Sequence, residues 1–265
     1  MKALGFLVGF FVASAAWAEE MRLAVTTSFH NSGLSDVLLP VFAEDTGIEV
    51  QLIVVGTGQA LRLGEAGDVD AILVHSRKAE EVFVKRGFGT HRREIMYNDF
   101  VIIGPEEDPA GISAAGNVAA ALHAIAEANA LFASRGDDSG THKRELSLWA
   151  SAGVDTGGKW YRELGSGMGA TLNTAAGLGA YVLSDRASWL NFGNKVGMAI
   201  LFEGDAELFN QYAYLPVNPD RHFHVKADLA KQLEDWLVSE KAQAMIGEYK
   251  IADQQLFVPN AVTSK

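Results

Sequence analysis

Ala130-Leu131-Phe132-Ala133-Ser134-Arg135-Gly136-Asp137-Asp138-Ser139-Gly140-Thr141-His142 reads as a strand, a turn and the opening of a helix. The apolar run Leu131 to Ala133 predicts a buried strand, and Ser139 opens a helical pattern that continues to Ala152. A helix that begins near Ser139 leaves its first N–H groups without intrahelical partners, and Arg135 sets a fixed cation beside them. Neither group acts as a base, so the segment is suited to holding an anion rather than breaking a bond. The alternative is an ion pair of Arg135 with Asp137 or Asp138 on a solvated turn, with Ser139 as a plain cap.

Outward from this junction, strand and helix patterns alternate almost throughout, which predicts an α/β architecture with mostly parallel sheets. Leu23-Ala24-Val25 is a first strand. Leu34, Val37, Leu38, Val41 and Phe42 then fall at helical spacing, with Asn31 or Ser32 as cap, Gly47 as terminator and a bend or early end at Pro40. A buried strand is expected over 50–55, a short helix over 59–63, a strand over 69–74 and a solvated helix over 77–86. Tyr97 to Ile103, closed by Gly104-Pro105, is the long strand that leaves the first domain, and Tyr212 to Val217 returns to it. Between them lie a helix over 118–127, another after Met168 and a strand over 198–202; helices over 229–238 and 241–249 close the chain. With no low-complexity linker, two lobes joined by two crossover strands are favoured over beads on a string. The first lobe is placed at 19–104 plus 210–265 and the second at 105–209.

The N-terminus has Lys2, an apolar stretch from Ala3 to Val12, and Ala13-Ser14-Ala15-Ala16-Trp17-Ala18 ahead of two glutamates. That is the pattern of a secretory signal peptide cut after Ala18, and it predicts export to the periplasm. The chain has no cysteine, which excludes disulfides, thiolate metal sites and thiol catalysis. Its formal net charge of −11 argues against nucleic acid or an anionic membrane as partner. A small anion is not excluded, because in a dry cleft it responds to local donors more than to screened net charge.

Two more hydroxyl- or glycine-rich turns stand at comparable strand-to-helix junctions: Thr26-Thr27-Ser28 and Gly56-Thr57-Gly58-Gln59. A further one, Gly165 to Thr171, is suited to present backbone N–H groups at another helix start. In parallel α/β sheets such junctions face the ligand crevice. Each has a structural reading as a cap or turn. Gly56-Thr57-Gly58 lacks the third glycine of a dinucleotide fingerprint, since position 61 is Leu, and neither a Gly-Lys-Ser/Thr loop nor a Gly-x-Ser-x-Gly elbow is present. His75, His142 and His222-Phe223-His224 lack a recognised metal spacing. Trp149, Trp160, Trp189 and Trp236 sit amid apolar neighbours and are assigned to the core. Asp137 and Asp138 are expected to orient Arg135; if one instead faced a bound water as a base, with Ser139 as nucleophile, a hydrolase reading would stay open.

Thr26-Thr27-Ser28, Asn31 to Leu34, Val55 to Leu61, Met96 to Phe100, Ser134 to His142 and Gly167 to Asn173 occur in an order that resembles the tungstate-binding proteins of Tup-type ABC transporters. The family tends to have Thr where this chain has Val25. The resemblance covers nearly the whole chain beyond the N-terminal segment. It implies a type II periplasmic binding protein fold, with an oxyanion held in the cleft between two lobes and delivered to a membrane permease and its ATPase. It further implies ligand contacts at Thr26, Thr27, Ser28, Thr57, Arg135, Ser139 and Thr141, with no catalytic residue and no metal site apart from the metal inside the oxyanion. Tungstate is the implied ligand, with molybdate, sulfate and phosphate as alternatives, and the working form is a monomer without a cofactor.

Overall fold

The structure, a computed structural model, describes residues 19–261; the signal peptide expected over 1–18 lies outside them. Its elements in chain order are β1 (Glu19–Thr26), α1 (Thr27–Asn31), α2 (Leu34–Thr46), β2 (Ile48–Val55), α3 (Thr57–Ala66), β3 (Ala71–Val74), α4 (Arg77–Lys85), β4 (Arg93–Pro105), α5 (Val118–Glu127), β5 (Phe132–Ser134), α6 (Gly140–Ala152), β6 (Tyr161–Glu163), α7 (Met168–Leu178), β7 (Val182–Asp185), α8 (Arg186–Asn191), β8 (Met198–Phe202), β9 (Phe209–Pro216), α9 (Ala227–Leu237), α10 (Glu240–Glu248), β10 (Lys250–Ile251), β11 (Gln254–Gln255) and β12 (Val258–Pro259).

The strand β4 organises the molecule. Its first half pairs with β9 and its second half, from Phe100, pairs with β7 and β8. The main sheet runs β12-β4-β9-β3-β1-β2, and β5 pairs with β6 in a separate ladder. Apolar side chains follow the same division. One pair of packed clusters draws on residues before Phe100 and after Asn210, joined by Ala187 and Leu190; the other draws on Phe100 through Leu208. The four tryptophans assigned to the core are buried, as is Val25.

The α/β class with crossover strands matches the expectation, while the strand directions refine it. Among the described residues, the parallel ladders are β1 with β2 and β3, and β5 with β6, with one further parallel bridge between Phe132 and Tyr181. Every ladder that includes β4 or β9 is antiparallel, so the sheets are not mostly parallel by pair. A strand that leaves one lobe and a strand that returns to it run in opposite senses, and placing them side by side makes the antiparallel ladder. Strand β2 is half-exposed rather than buried because it forms the sheet edge. Helix α2 runs through Pro40 to Thr46. A proline inside a helix costs about 3 kcal/mol, and here Leu34, Leu38 and Phe42 anchor the helix to the core on both sides of it. The short pair β7 and α8 was not foreseen.

Candidate functional site

Four helices begin around the junction of the two groups of clusters. Thr26 caps α1: its Oγ1 accepts the Phe29 N–H at 3.3 Å. Helices α3 and α7 start at Gly56 and Gly167 caps with no side-chain capping bond, so their first N–H groups stay available. Ser139 caps α6 by accepting the His142 N–H at 3.2 Å. A partial positive charge gathers at each such start.

Thr27, Ser28 and Arg135, which are far apart in sequence, line one cavity of about 700 Å³ together with Asn31, Gly167 to Ala170, Asp185 and Ser188. Thr26 stands directly behind it, with its Oγ1 3.0 Å from Ser28 Oγ. Ser28 Oγ also lies 3.1 Å from His75 Nε2 and 3.1 Å from the Tyr212 hydroxyl. Burial, reinforced by the Asp185 charge, raises Tyr212 well above the ordinary tyrosine value, so its hydroxyl keeps its proton and can donate. Burial lowers His75 to about 4, so the ring is neutral at physiological pH.

The Arg135 turn is built from charged groups. Arg135 Nε and Nη2 donate to Asp137 Oδ2 at 3.1 and 2.5 Å, while Asp137 Oδ1 accepts the Ser139 N–H at 3.2 Å. Burial raises the Asp137 carboxyl, but hydrogen bonds from Ser139 and Arg135 outweigh it and leave the pKa below its usual value. The carboxylate thus ties the guanidinium to the start of α6, and Arg135 is largely buried rather than on a solvated turn. Asp138 is exposed and pairs with Lys143. Gly136 has φ +60, and a Cβ there would come within 2.9 Å of the Glu163 side chain, so glycine lets the turn lie against β6 and the loop after it. From behind, the Tyr161 hydroxyl donates to Glu145 Oε1 at 2.5 Å and lies 3.0 Å from Ser134 Oγ. Burial raises Glu145 to about 7, against hydrogen bonds from Tyr161, Ser134 and the Arg135 backbone.

The remaining expected residues stand at the starts of α3 and α6. Thr57 is buried at the first position of α3, and its Oγ1 has no hydrogen-bond partner among the described residues. Thr141 is buried at the second position of α6. Neither residue lines the 700 Å³ cavity, nor does Ser139. A second cavity of about 1080 Å³ is lined by Gly58, Arg62, His75, Gly140, Lys143 and Arg144 among others.

Sequence reasoning missed His75, Tyr212 and Asp185 as members of this arrangement. Asp185 is buried at the end of β7, where its Oδ1 accepts the Ser188 N–H at 2.9 Å. Burial raises its pKa, with Ser188 and then Arg135 opposing. The cavity is therefore not lined by donors alone: one carboxyl faces it. A signal for Asp185 was present in Ser184-Asp185-Arg186, a strand end that turns into a helix through an acidic cap. His222 and His224 hydrogen-bond through Nε2 to the carbonyls of Glu65 and Gly67 and lie in a loop, as expected.

Comparison with known proteins gives concordant findings. A family model described as a PBP superfamily domain matches residues 13–241. The chain is 47% identical over 243 residues to the tungstate-binding protein TupA of Peptoclostridium acidaminophilum, covering 90% of this chain and 85% of that one. Among solved structures, the tungstate-binding protein TupA from Desulfovibrio alaskensis G20 superposes with a TM-score of 0.86 at 47% identity, over 92% of this chain and 100% of that chain. A structure titled as the tungstate ABC transporter from Geobacter sulfurreducens gives a TM-score of 0.79 at 49% identity, over 87% and 99% of the two chains.

Proposed function

The chain belongs to the PBP superfamily and, within it, to the family of the TupA proteins; from that membership we propose that it captures tungstate in the cleft and delivers it to an ABC transporter permease. The observation that carries this reading is the convergence of Thr27, Ser28, Arg135 and the uncapped start of α7 on one cavity. Tungstate is a tetrahedral dianion that presents acceptor oxygens and no donors. Hydroxyls, backbone N–H groups and a guanidinium match it. The contacts on that cavity are Thr27 and Ser28 from a first lobe of residues 19–104 plus 210–265 and Arg135 from a second lobe of residues 105–209, and closure brings in Thr26, Thr57, Ser139 and Thr141.

In this reading Arg135 is the counter-charge, aimed by Asp137, and the Thr57 hydroxyl finds in the oxyanion the partner it lacks among the described residues. If charge-assisted bonds contribute roughly 1.5–3 kcal/mol each, a set of about six to eight supports a nanomolar dissociation constant after ordering costs, near −12 kcal/mol. Because both lobes supply contacts, the anion stabilises the closed form, and closure is the state the permease reads. The protein works as a periplasmic monomer, exported with cleavage after Ala18, and acts as a carrier rather than a hydrolase. Ser139 supports the last point, because its hydroxyl is engaged in capping His142 and Asp137 is engaged by Arg135 and the Ser139 N–H.

Molybdate shares the shape and charge of tungstate and is the competing cargo. Isothermal titration of the anion-free protein with tungstate, molybdate, sulfate and phosphate ranks them, with tungstate expected first and phosphate, which carries a proton at neutral pH, among the weakest. Arg135→Gln is expected to weaken tungstate binding by at least about 100-fold, the scale of a lost charge-assisted contact, in a variant that far-UV circular dichroism shows to be folded at the temperature of titration. Wild-type affinity in that variant would sink the proposal.

A further inference from the structure

His75 lies where the two halves of the cleft meet. It follows β3 directly, and its ring tilts against Tyr212 with centroids 4.8 Å apart. Its Nε2 approaches Ser28 Oγ at 3.1 Å, and the ring is also hydrogen-bonded to Asn210, which in turn donates to Asn98 Oδ1 at 2.8 Å. On its other side the ring touches Gly140, the first residue of α6: a Cβ on Gly140 would stand 2.8 Å from His75 Cε1. Gly140 has an ordinary negative φ, so this closeness, and not backbone conformation, is what its lack of a side chain serves. Ser28 lines the smaller cavity while His75 and Gly140 line the larger, so the Ser28–His75 hydrogen bond links residues of the two.

We infer that His75 is a positioning residue of the oxyanion site: it holds the Ser28 hydroxyl from behind and forms the seat on which the α6 start, with Ser139 and Thr141, closes. This rests on the reading of the cleft as the oxyanion site. A neutral ring suits the task, because it supports the hydroxyl without adding a second charge to the cradle. Gly140 is then a requirement of closure. A methyl group at that position meets the imidazole before α6 is seated.

The test is a double-mutant cycle on the anion-free protein, titrated calorimetrically with tungstate. Gly140→Ala is expected to lower affinity at least about tenfold by steric conflict, and His75→Ala about fivefold by releasing Ser28. The double variant, which has no ring to collide with, is expected to bind as His75→Ala does. Additive losses in the double variant, or wild-type affinity in Gly140→Ala, would overturn the inference. Failure of the cargo reading shows itself separately, as a wild type that gives no binding heat with tungstate. In that event the same cycle is read with whichever of molybdate, sulfate or phosphate the wild type binds, and the same outcomes decide it.

Discussion

The two walls of the cleft are made of different chemistry. On one side Thr26, Ser28, Tyr212 and His75 form a cluster of neutral groups, three hydroxyls and an uncharged ring, in which several atoms can serve as donor or acceptor. On the other side Arg135, Asp137, Glu145 and Asp185 set fixed charges and buried carboxyls within one small region. A neutral hydroxyl cluster can re-aim its protons toward whatever acceptor enters, at little cost in charge. A guanidinium held by a carboxylate cannot. In the proposed oxyanion site the difference gives geometric adaptation to the first wall and charge selection to the second.

The contrast is sharpest in how the walls respond to pH. Glu145 is raised from 4.5 to about 7 by burial, so the folded state holds its proton where the unfolded chain has released it. Its contribution to stability is complete below pH 4.5 and lost as pH rises through 7, by up to about 3 kcal/mol. His75 is lowered from 6.5 to about 4, so its contribution is complete above pH 6.5 and lost as pH falls through 4. Denaturant unfolding of wild type, Glu145→Gln and His75→Ala between pH 4 and 8 should therefore show opposite corrections. Glu145→Gln flattens the alkaline side and His75→Ala the acid side. Parallel profiles for all three proteins would erase the distinction.

A smaller effect is expected at Asp137, and its sign separates orientation from field. Asp137→Asn removes a negative charge beside the anion, which alone would strengthen binding, but it also releases the Arg135 guanidinium from its ion pair. Orientation is expected to win, with tungstate affinity falling about tenfold, or about 1.4 kcal/mol by calorimetry. A gain in affinity would show that the second wall selects by net field rather than by aim. An effect of about the same size is expected at the start of α3: Thr57→Val should weaken tungstate binding about tenfold, the low end for one charge-assisted bond, and leave the melting temperature equal or slightly raised, because the Oγ1 it removes is buried without a partner among the described residues. Unaltered affinity there would mark Thr57 as a packing residue.

Much of this arrangement could be read from the chain before any coordinates. The helix over 118–127 and the Ser139 cap are where spacing and capping chemistry put them, because both signals are local. What escaped was short or interrupted. The pair β7 and α8 runs from strand to helix with no glycine or proline to punctuate it, and Asp185 was overlooked with it. Pro40 by its local chemistry suggests a bend or early end, whereas the packing that carries α2 through it to Thr46 comes from distant parts of the chain.

Sequence alone established the strand-to-helix junctions, the hydroxyls and the guanidinium placed on them, and the absence of thiol chemistry. These depend on residue type and on neighbours a few positions away. Tertiary structure alone decided that Ser28 would meet Tyr212, 184 residues later, and that Asn98 would meet Asn210, 112 residues later. It also decided that Gly140 would lie against His75. The first two meetings follow from the register in which β1, β3, β9 and β4 pair, and the last from the packing of α6 beside β3; both are set by the assembly of whole sheets and helices rather than by any local stretch of the chain.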